Sequence, residues 1–112
     1  MERDSALLFD ILDSSRLITE WTRGMNAEQF LADRRTHEAV LHRLIIIGEA
    51  AGKLSSELRD RHLAVPWAQM IGMRHRIVHG YQDVDMELVW RTVVSDVPKL
   101  ARNVGDVSAD GS

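Results

Sequence analysis

The stretch Ala39–Gly52, AVLHRLIIIGEAAG, decides the fold that we expect. Apolar residues recur here in alternating steps of four and three, and the same rhythm continues beyond the stretch. The series is Val40, Leu44, Ile47, Ala51, Leu54 and Leu58. Because such steps keep residues on one face of an α-helix, the pattern predicts a long helix whose apolar stripe faces a core.

This central helix has a broader apolar surface than one neighbouring helix would cover. The additional positions are Leu41, Ile45, Ile46 and Gly48. Gly48 and Gly52, one helical turn apart, would let another helix approach closely. Two interpretations stay open: a helix touched by several neighbours in its own bundle, or a self-complementary face that forms a dimer.

The residues before the stretch predict two more helices. Apolar spacing from Leu7 to Trp21 indicates a helix of about five turns, and Gly24 is its expected C-cap. Asn26–Gln29 has the form of a capping box that opens a short helix. Asp33 or Thr36 can then cap the central helix.

The residues after the stretch predict a motif-bearing helix that begins at Pro66 and is stopped by Gly80. Asp83 or Asp85 can cap the last helix. Pro98 should kink or divide that helix, because proline removes one internal hydrogen bond.

The predicted fold class is all-α, an antiparallel up-and-down bundle of four main helices plus one short helix. Residues 1–104 would form a single helical domain. The tail 105–112 is small and polar, and we expect it to be disordered.

Composition narrows the class of protein. The chain has 112 residues, of which 45% are hydrophobic and 28% are charged, as in a soluble one-domain protein. A formal net charge of −3 leaves no global positive field for nucleic acid, so RNA binding would need a local patch. The absence of cysteine excludes disulfides and thiolate metal sites, and it agrees with a cytoplasmic location.

The segment Gly72–Tyr81, GMRHRIVHGY, is the candidate site. A histidine such as His79 can transfer protons near pH 7, and the guanidinium of Arg74 or Arg76 can hold a phosphate. A ribonuclease that uses no metal needs this pairing. Composition alone favours the simpler interpretation, a basic helix end that complements the helix dipole.

The spacing of Arg74 and His79 within this segment argues against both side chains reaching one site from the same helix. Arg74 and His79 are five residues apart, so on an ideal helix their directions differ by roughly 140°. Either the helix ends at His79 and Gly80 turns the chain, or the groups meet across a two-fold axis between two chains.

Arg74, His79 and Tyr81 form an R-x4-H-x-Y motif, which resembles the signature of HepT-like proteins in the HEPN superfamily. The segments IGEA, PW and VDMELVW extend the resemblance, which covers roughly residues 3–101. It implies a helical homodimer with a shared cleft and no cofactor. Such proteins are toxins of toxin–antitoxin pairs that cut tRNA or mRNA without a metal. Their partner is an MntA-like nucleotidyltransferase antitoxin, which transfers AMP to the motif tyrosine.

The resemblance assigns a role to each matching residue. Arg74 would stabilise the scissile phosphate, His79 would be the acid/base group, and Tyr81 would be the residue that receives AMP. The family typically has asparagine where this chain has His75. His75 could replace it, add a second acid/base group or mark a site that has drifted, and a plain surface histidine is the simpler interpretation.

Glu49 is a candidate supporting residue of the site. It lies among apolar residues and would be a buried carboxylate that orients Arg74 or Arg76; the alternative is a solvated carboxylate on the outer face.

Two other interpretations concern a metal site and a different function. His75 and His79 have the spacing of two metal ligands on one helix, but no third ligand is evident, so no metal site is expected. The alternative function is a non-catalytic helical subunit that binds substrate for a minimal nucleotidyltransferase.

Overall fold

A computed structural model describes residues 2–109 of the chain, and these residues contain helices but no β-strand. The α-helices are α1 (Glu2–Thr22), α2 (Ala27–Ala32), α3 (Arg34–Lys53), α4 (Ser56–Arg61), α5 (Trp67–His79), α6 (Met86–Arg91) and α7 (Val97–Ala109). A 3₁₀ turn, Tyr81–Asp83, follows α5, and a π-helical segment, Thr92–Asp96, joins α6 to α7. The predicted all-α class is confirmed. Within residues 2–109, no helix has the length and apolar character needed to cross a membrane.

Helix α3 is the centre of the bundle. It packs against α1 on one side and against α5 on another, α7 packs against α1, and α2 lies against α3 and α6. Its buried residues are Val40, Leu41, Leu44, Ile47, Gly48, Ala50 and Ala51. Several neighbours within the chain therefore use the broad apolar surface of the central helix.

Local hydrogen bonds place the first helices as the sequence predicts. Gly24 has φ +80°, the left-handed conformation that ends α1 without strain at glycine. Asn26 and Gln29 form a capping box: Gln29 N–H donates to the Asn26 side chain at 2.8 Å, and Asn26 N–H donates to Gln29 at 2.9 Å. Of the two candidate caps for α3, Asp33 has that role, because its carboxylate accepts the Thr36 N–H at 3.1 Å.

The central helix ends at Lys53, so the prediction of one helix through Leu58 is wrong. Ser55 interrupts it, because its Oγ accepts the Leu58 N–H at 3.2 Å and caps α4. The buried Asp4 carboxylate of α1 fixes this break by accepting the Ser55 N–H at 3.0 Å and the Ser55 hydroxyl at 2.7 Å. These hydrogen bonds hold the pKa of Asp4 below its usual range. The apolar rhythm continued across the break because Leu54 and Leu58 are buried on both sides of it.

The last helix is divided as Pro98 predicted. Asp85 caps α6 by accepting the N–H groups of Glu87 and Leu88 at 3.0 and 3.3 Å. Before Pro98 the helix widens into the π segment, where Val97 N–H donates to Thr92 C=O, five residues back. A proline ring clashes with the carbonyl four residues before it in an α-helix, and a π turn moves that carbonyl away.

Residues 105–109, which belong to the tail predicted from the sequence, form the end of α7. Val104 and Val107 are 0% and 3% exposed, so they extend the apolar stripe of α7 into the core. This burial offsets the cost of ordering a small, polar segment. The remainder of the predicted tail, 110–112, lies outside the described residues.

A groove separates α5 from the α6–α7 unit. It has a volume of about 450 Å³. Its lining is mainly apolar and includes Leu44, Ile47, Met70, Met73, Leu88, Val97 and Leu100. Arg76 and Asp96 add one charge of each sign to its walls. The groove leaves one side of the bundle open beside the motif helix.

Candidate functional site

The motif helix α5 ends at His79, which is the first of the two outcomes that its spacing allowed. Gly80 N–H donates to Arg76 C=O at 3.0 Å and closes the last turn. Ile77 is fully buried and anchors the helix to the core. Tyr81 therefore stands on a separate 3₁₀ turn rather than in line with Arg74 along a continued helix.

Arg74 lies where α5 crosses α3, directly against Gly48. A Cβ atom added at Gly48 would be 2.3 Å from the Arg74 Cβ and 2.8 Å from the Met70 carbonyl oxygen, closer than real Cβ contacts. At Gly52 the nearest atom, on Ile71, would be 3.9 Å away, an ordinary contact. Only one of the two glycines is thus required for the close approach, and it determines where Arg74 is held.

The guanidinium of Arg74 faces Glu49 of α3. The nearest nitrogen–oxygen distance is 3.8 Å, and the two side chains are 35% and 45% exposed. This distance makes the contact an ion pair rather than a hydrogen bond. The hypothesis of a buried carboxylate at Glu49 is wrong, since its side chain reaches solvent, but a carboxylate–arginine pair is present. The Arg74 Nε is buried and has no hydrogen-bond partner in the described part of the chain.

His75 and His79 form a contact pair on the exposed side of α5. Their ring centroids are 4.2 Å apart and the rings are tilted by 52°. His75 therefore lies against the predicted acid/base group. Arg76, between them in the chain, is also exposed. In the described part of the chain no hydrogen bond, ion pair or ring contact joins His79 to Arg74, which agrees with their divergent directions.

Tyr81 is held by a residue that the sequence did not single out. Its hydroxyl donates a hydrogen bond to the carboxylate of Glu38 on α3. This bond raises the pKa of Tyr81 above the ordinary value of a phenol, and burial and the Glu38 charge act in the same direction. The ring is nonetheless 42% exposed. Spacing could have indicated Glu38, because it precedes Glu49 by eleven residues, about three turns along the same side of a helix.

The described residues do not form a metal site, and Trp67 and Trp90 do not form a surface for stacking bases. Residues 2–109 contain no group of three or more His, Cys, Asp or Glu side chains that could hold a metal ion. These two tryptophans pack into or against the core rather than offering platforms for base stacking: Trp67 is 7% exposed, and the partly buried Trp90 packs on Phe30 with ring centroids 5.0 Å apart.

Comparison with known proteins gives a consistent picture. The family model described as "Ribonuclease HepT-like" matches residues 11–107. The chain is 40% identical to "Probable ribonuclease HepT" of Thermococcus cleftensis over 93 residues. The aligned region covers 83% of this chain and 84% of the relative.

Two further relatives match nearly end to end. The chain is 35% identical to "Putative RNase MJ1380" of Methanocaldococcus jannaschii, over 88% of this chain and 91% of the relative. It is 32% identical to "Putative RNase TTE0752" of Caldanaerobacter subterraneus, over 96% of each chain. The search of solved structures found no match.

Proposed function

Because the chain belongs to the Ribonuclease HepT-like family, we propose that it is a ribonuclease toxin that cuts cellular RNA, tRNA or mRNA, in the cytoplasm without a metal ion. The observation that carries the proposal is the state of Arg74. Its side chain is 35% exposed, and its nearest carboxylate oxygen is 3.8 Å away, too far for a hydrogen bond. A cation that is held in place and only loosely paired with a carboxylate is suited to a phosphate.

In the proposed reaction the ribose 2′-oxygen attacks phosphorus and the bond to the 5′-oxygen breaks. One group removes the 2′-hydroxyl proton, and another donates a proton to the leaving 5′-oxygen. His79 is exposed at the end of α5 and can serve as one of these groups. Arg74 stabilises the negative charge that builds on the phosphoryl oxygens. Glu49 positions Arg74, and the exposed His75 and Arg76 supplement the site.

We further propose that two chains form the active cleft. Arg74 and His79 diverge on α5, so one chain does not direct both at the same phosphate. A second copy seated along the open groove between α5 and α6–α7 could complete the site. The mainly apolar lining of the groove supports this arrangement. Such a surface would be covered in a homodimer.

The proposed antitoxin is an MntA-like nucleotidyltransferase that transfers AMP to Tyr81. Tyr81 follows His79 by two residues, and its ring reaches the surface. A bulky, negatively charged adenylate at this position would exclude RNA from the cleft. The partner's access to the hydroxyl is consistent with the exposure of the 3₁₀ turn.

Purified wild-type chain, Arg74→Ala and His79→Ala should be compared for cleavage of total tRNA and mRNA in the presence of a chelator. We expect each variant to lose activity by about 10²-fold or more. Arg16→Ala, at an exposed arginine of α1, is the matched control and should retain wild-type activity. A wild-type chain that degrades neither RNA class would contradict the proposal.

A second candidate function is a non-catalytic subunit that presents substrate to the nucleotidyltransferase. It is favoured by His75, where the family has asparagine, and by the net charge of −3. The same experiment separates the two functions. A chain that receives AMP on Tyr81 but cuts no RNA would be this binding subunit.

A further inference from the structure

The hydrogen bond between Tyr81 and Glu38 joins two elements that are far apart in the chain, the 3₁₀ turn after α5 and the first half of α3. Several other ionisable side chains are near in the chain: Arg34, Arg35, His37 and His42 around Glu38, and His79, Asp83 and Asp85 around Tyr81. In the described part of the chain only Glu38 bonds to the phenol. Both partners are exposed, so the bond is accessible from solvent and from a docked protein.

We propose that Glu38 is the general base for nucleotidyl transfer to Tyr81. The inference rests on the proposed modification of Tyr81 and adds to it the residue that would make the hydroxyl reactive. A carboxylate that already accepts the phenolic hydrogen is in the correct place to receive the proton when the oxygen attacks.

The chemistry of the step balances without a redox partner. The Tyr81 oxygen forms a bond to the α-phosphorus of a nucleoside triphosphate bound by the transferase, and the bond from that phosphorus to the β-phosphate oxygen breaks. Pyrophosphate leaves, and the phenolic proton passes to the Glu38 carboxylate and then to solvent. The transfer becomes favourable during the step, because the acidity of the phenol rises steeply as its oxygen bonds to phosphorus.

The hydrogen bond has opposite consequences in the resting and reacting states. At rest it keeps the hydroxyl protonated, and the raised pKa of Tyr81 agrees with this. During attack, the same carboxylate removes the need for prior ionisation. A phenol whose ionised form is rare near neutral pH would depend strongly on such a base.

The test uses the full chain, a nucleotidyltransferase partner and ATP, with the rate of adenylate gain followed by intact mass. We expect Glu38→Gln, which keeps a hydrogen-bond acceptor but not a base, to be modified about 10²-fold more slowly. Glu38→Asp should recover part of the rate. The matched control is Glu57→Gln, an exposed carboxylate in α4 beyond the opposite end of α3, and it should match wild type.

The pH dependence distinguishes a base from a structural residue. Raising the pH from about 7 to about 9.5 supplies phenolate directly, so the deficit of Glu38→Gln should shrink, whereas a folding defect would persist. Thermal melting of each variant monitors the fold. Glu38→Gln modified at the wild-type rate would overturn this inference while leaving the modification intact. Tyr81→Phe is the negative control and should gain no adenylate. If the wild-type chain also gains none, both this inference and the proposed modification of Tyr81 are overturned.

Discussion

Two contacts between α3 and the motif segment hold the candidate site, and they are built differently. At one end, Arg74 faces Glu49 at 3.8 Å across the close approach at Gly48. At the other end, Tyr81 donates a hydrogen bond to Glu38. Glu38 and Glu49 lie on the same side of α3, eleven residues apart, or about 16 Å along the helix.

The difference teaches that packing places the arginine and a hydrogen bond places the tyrosine. The backbone position of Arg74 is set by contact with Gly48, and the long ion pair to Glu49 adds little to it. Tyr81 is exposed on a short turn, and its hydroxyl is directed by one carboxylate. The first contact should therefore be sensitive to steric changes, and the second to changes in charge and protonation.

The largest expected effect on stability comes from Gly48→Ala. The new methyl group would lie 2.3 Å from the Arg74 Cβ, so α3 and α5 must separate. We expect a loss of roughly 2 kcal/mol of unfolding free energy, typical of overpacking, and of at least about tenfold in RNase activity through displacement of Arg74. Urea denaturation and RNA cleavage measure the two quantities.

Gly52→Ala is the control for this prediction, one turn away on the same helix. Its methyl group would meet only Ile71 at 3.9 Å, so the variant should be as stable as wild type or slightly more stable, because alanine favours helix. Equal denaturation midpoints for the two alanine variants would mean that contact with Gly48 does not place Arg74.

The next effect concerns the acidity of Tyr81, which is the chain's only tyrosine. Its phenolate absorbance can therefore be titrated without interference from another phenol. The hydrogen bond to the charged Glu38 carboxylate is the main cause of the raised pKa of Tyr81. Because a neutral amide is a weaker acceptor than a carboxylate, Glu38→Gln should lower that pKa towards the ordinary value. Glu57→Gln should leave it unchanged. A titration that is identical in wild type and Glu38→Gln would disprove the contact.

The same bond predicts how stability changes in alkali. The pKa of Tyr81 is higher in the folded chain than in the unfolded chain, so the bond contributes stability at pH values below about 10. That contribution is lost as the pH rises through the folded-state pKa. The stability difference between wild type and Tyr81→Phe should therefore change above pH 10 and stay constant between about pH 7 and 9. Urea midpoints across this range provide the measurement.

The smallest effect on stability is expected for Glu49→Gln. Both side chains of the ion pair are substantially exposed, and such pairs contribute about 0–1 kcal/mol. The melting temperature should change little, while RNase activity should fall because the guanidinium loses its orienting charge. If activity and melting temperature are both unchanged, Glu49 has no positioning role.

Regular spacing made most of the fold predictable from the sequence. Three features depend on residues within a few positions of one another. They are the apolar stripe from Val40 to Ala51, the capping box at Asn26 and the helix end at Gly80. Pro98 predicted the division of the last helix for the same reason, although the π form of the division could not be read from it. Rules based on nearby residues were sufficient for those helix faces, caps and ends that are determined by residues close in sequence.

The errors arose where distant residues meet. The end of α3 depends on Asp4, which bonds to Ser55 from 51 positions away. Likewise, the spacing of Glu38 from Glu49 indicates only a shared side of α3, and the packing of α5 against α3 is what brings Tyr81 to Glu38. Arg74, His79 and Tyr81 were identified by their motif, Glu49 was proposed from the sequence, and His75 lies one turn from His79 on the same helix. Only the partner of Tyr81 had to come from tertiary structure.

The fit of Arg74 against Gly48 also limits how α3 and α5 can move relative to each other. Sliding along the helix axis would drive the Arg74 Cβ out of the only gap on α3 shown to be without a side chain at this crossing. A slide would have to advance by a full turn, about 5.4 Å, before a second glycine, Gly52, came into reach. A pivot about the crossing point would keep Arg74, the proposed phosphate-binding cation, near the axis of motion. It would swing Tyr81, at the far end, through the longer arc.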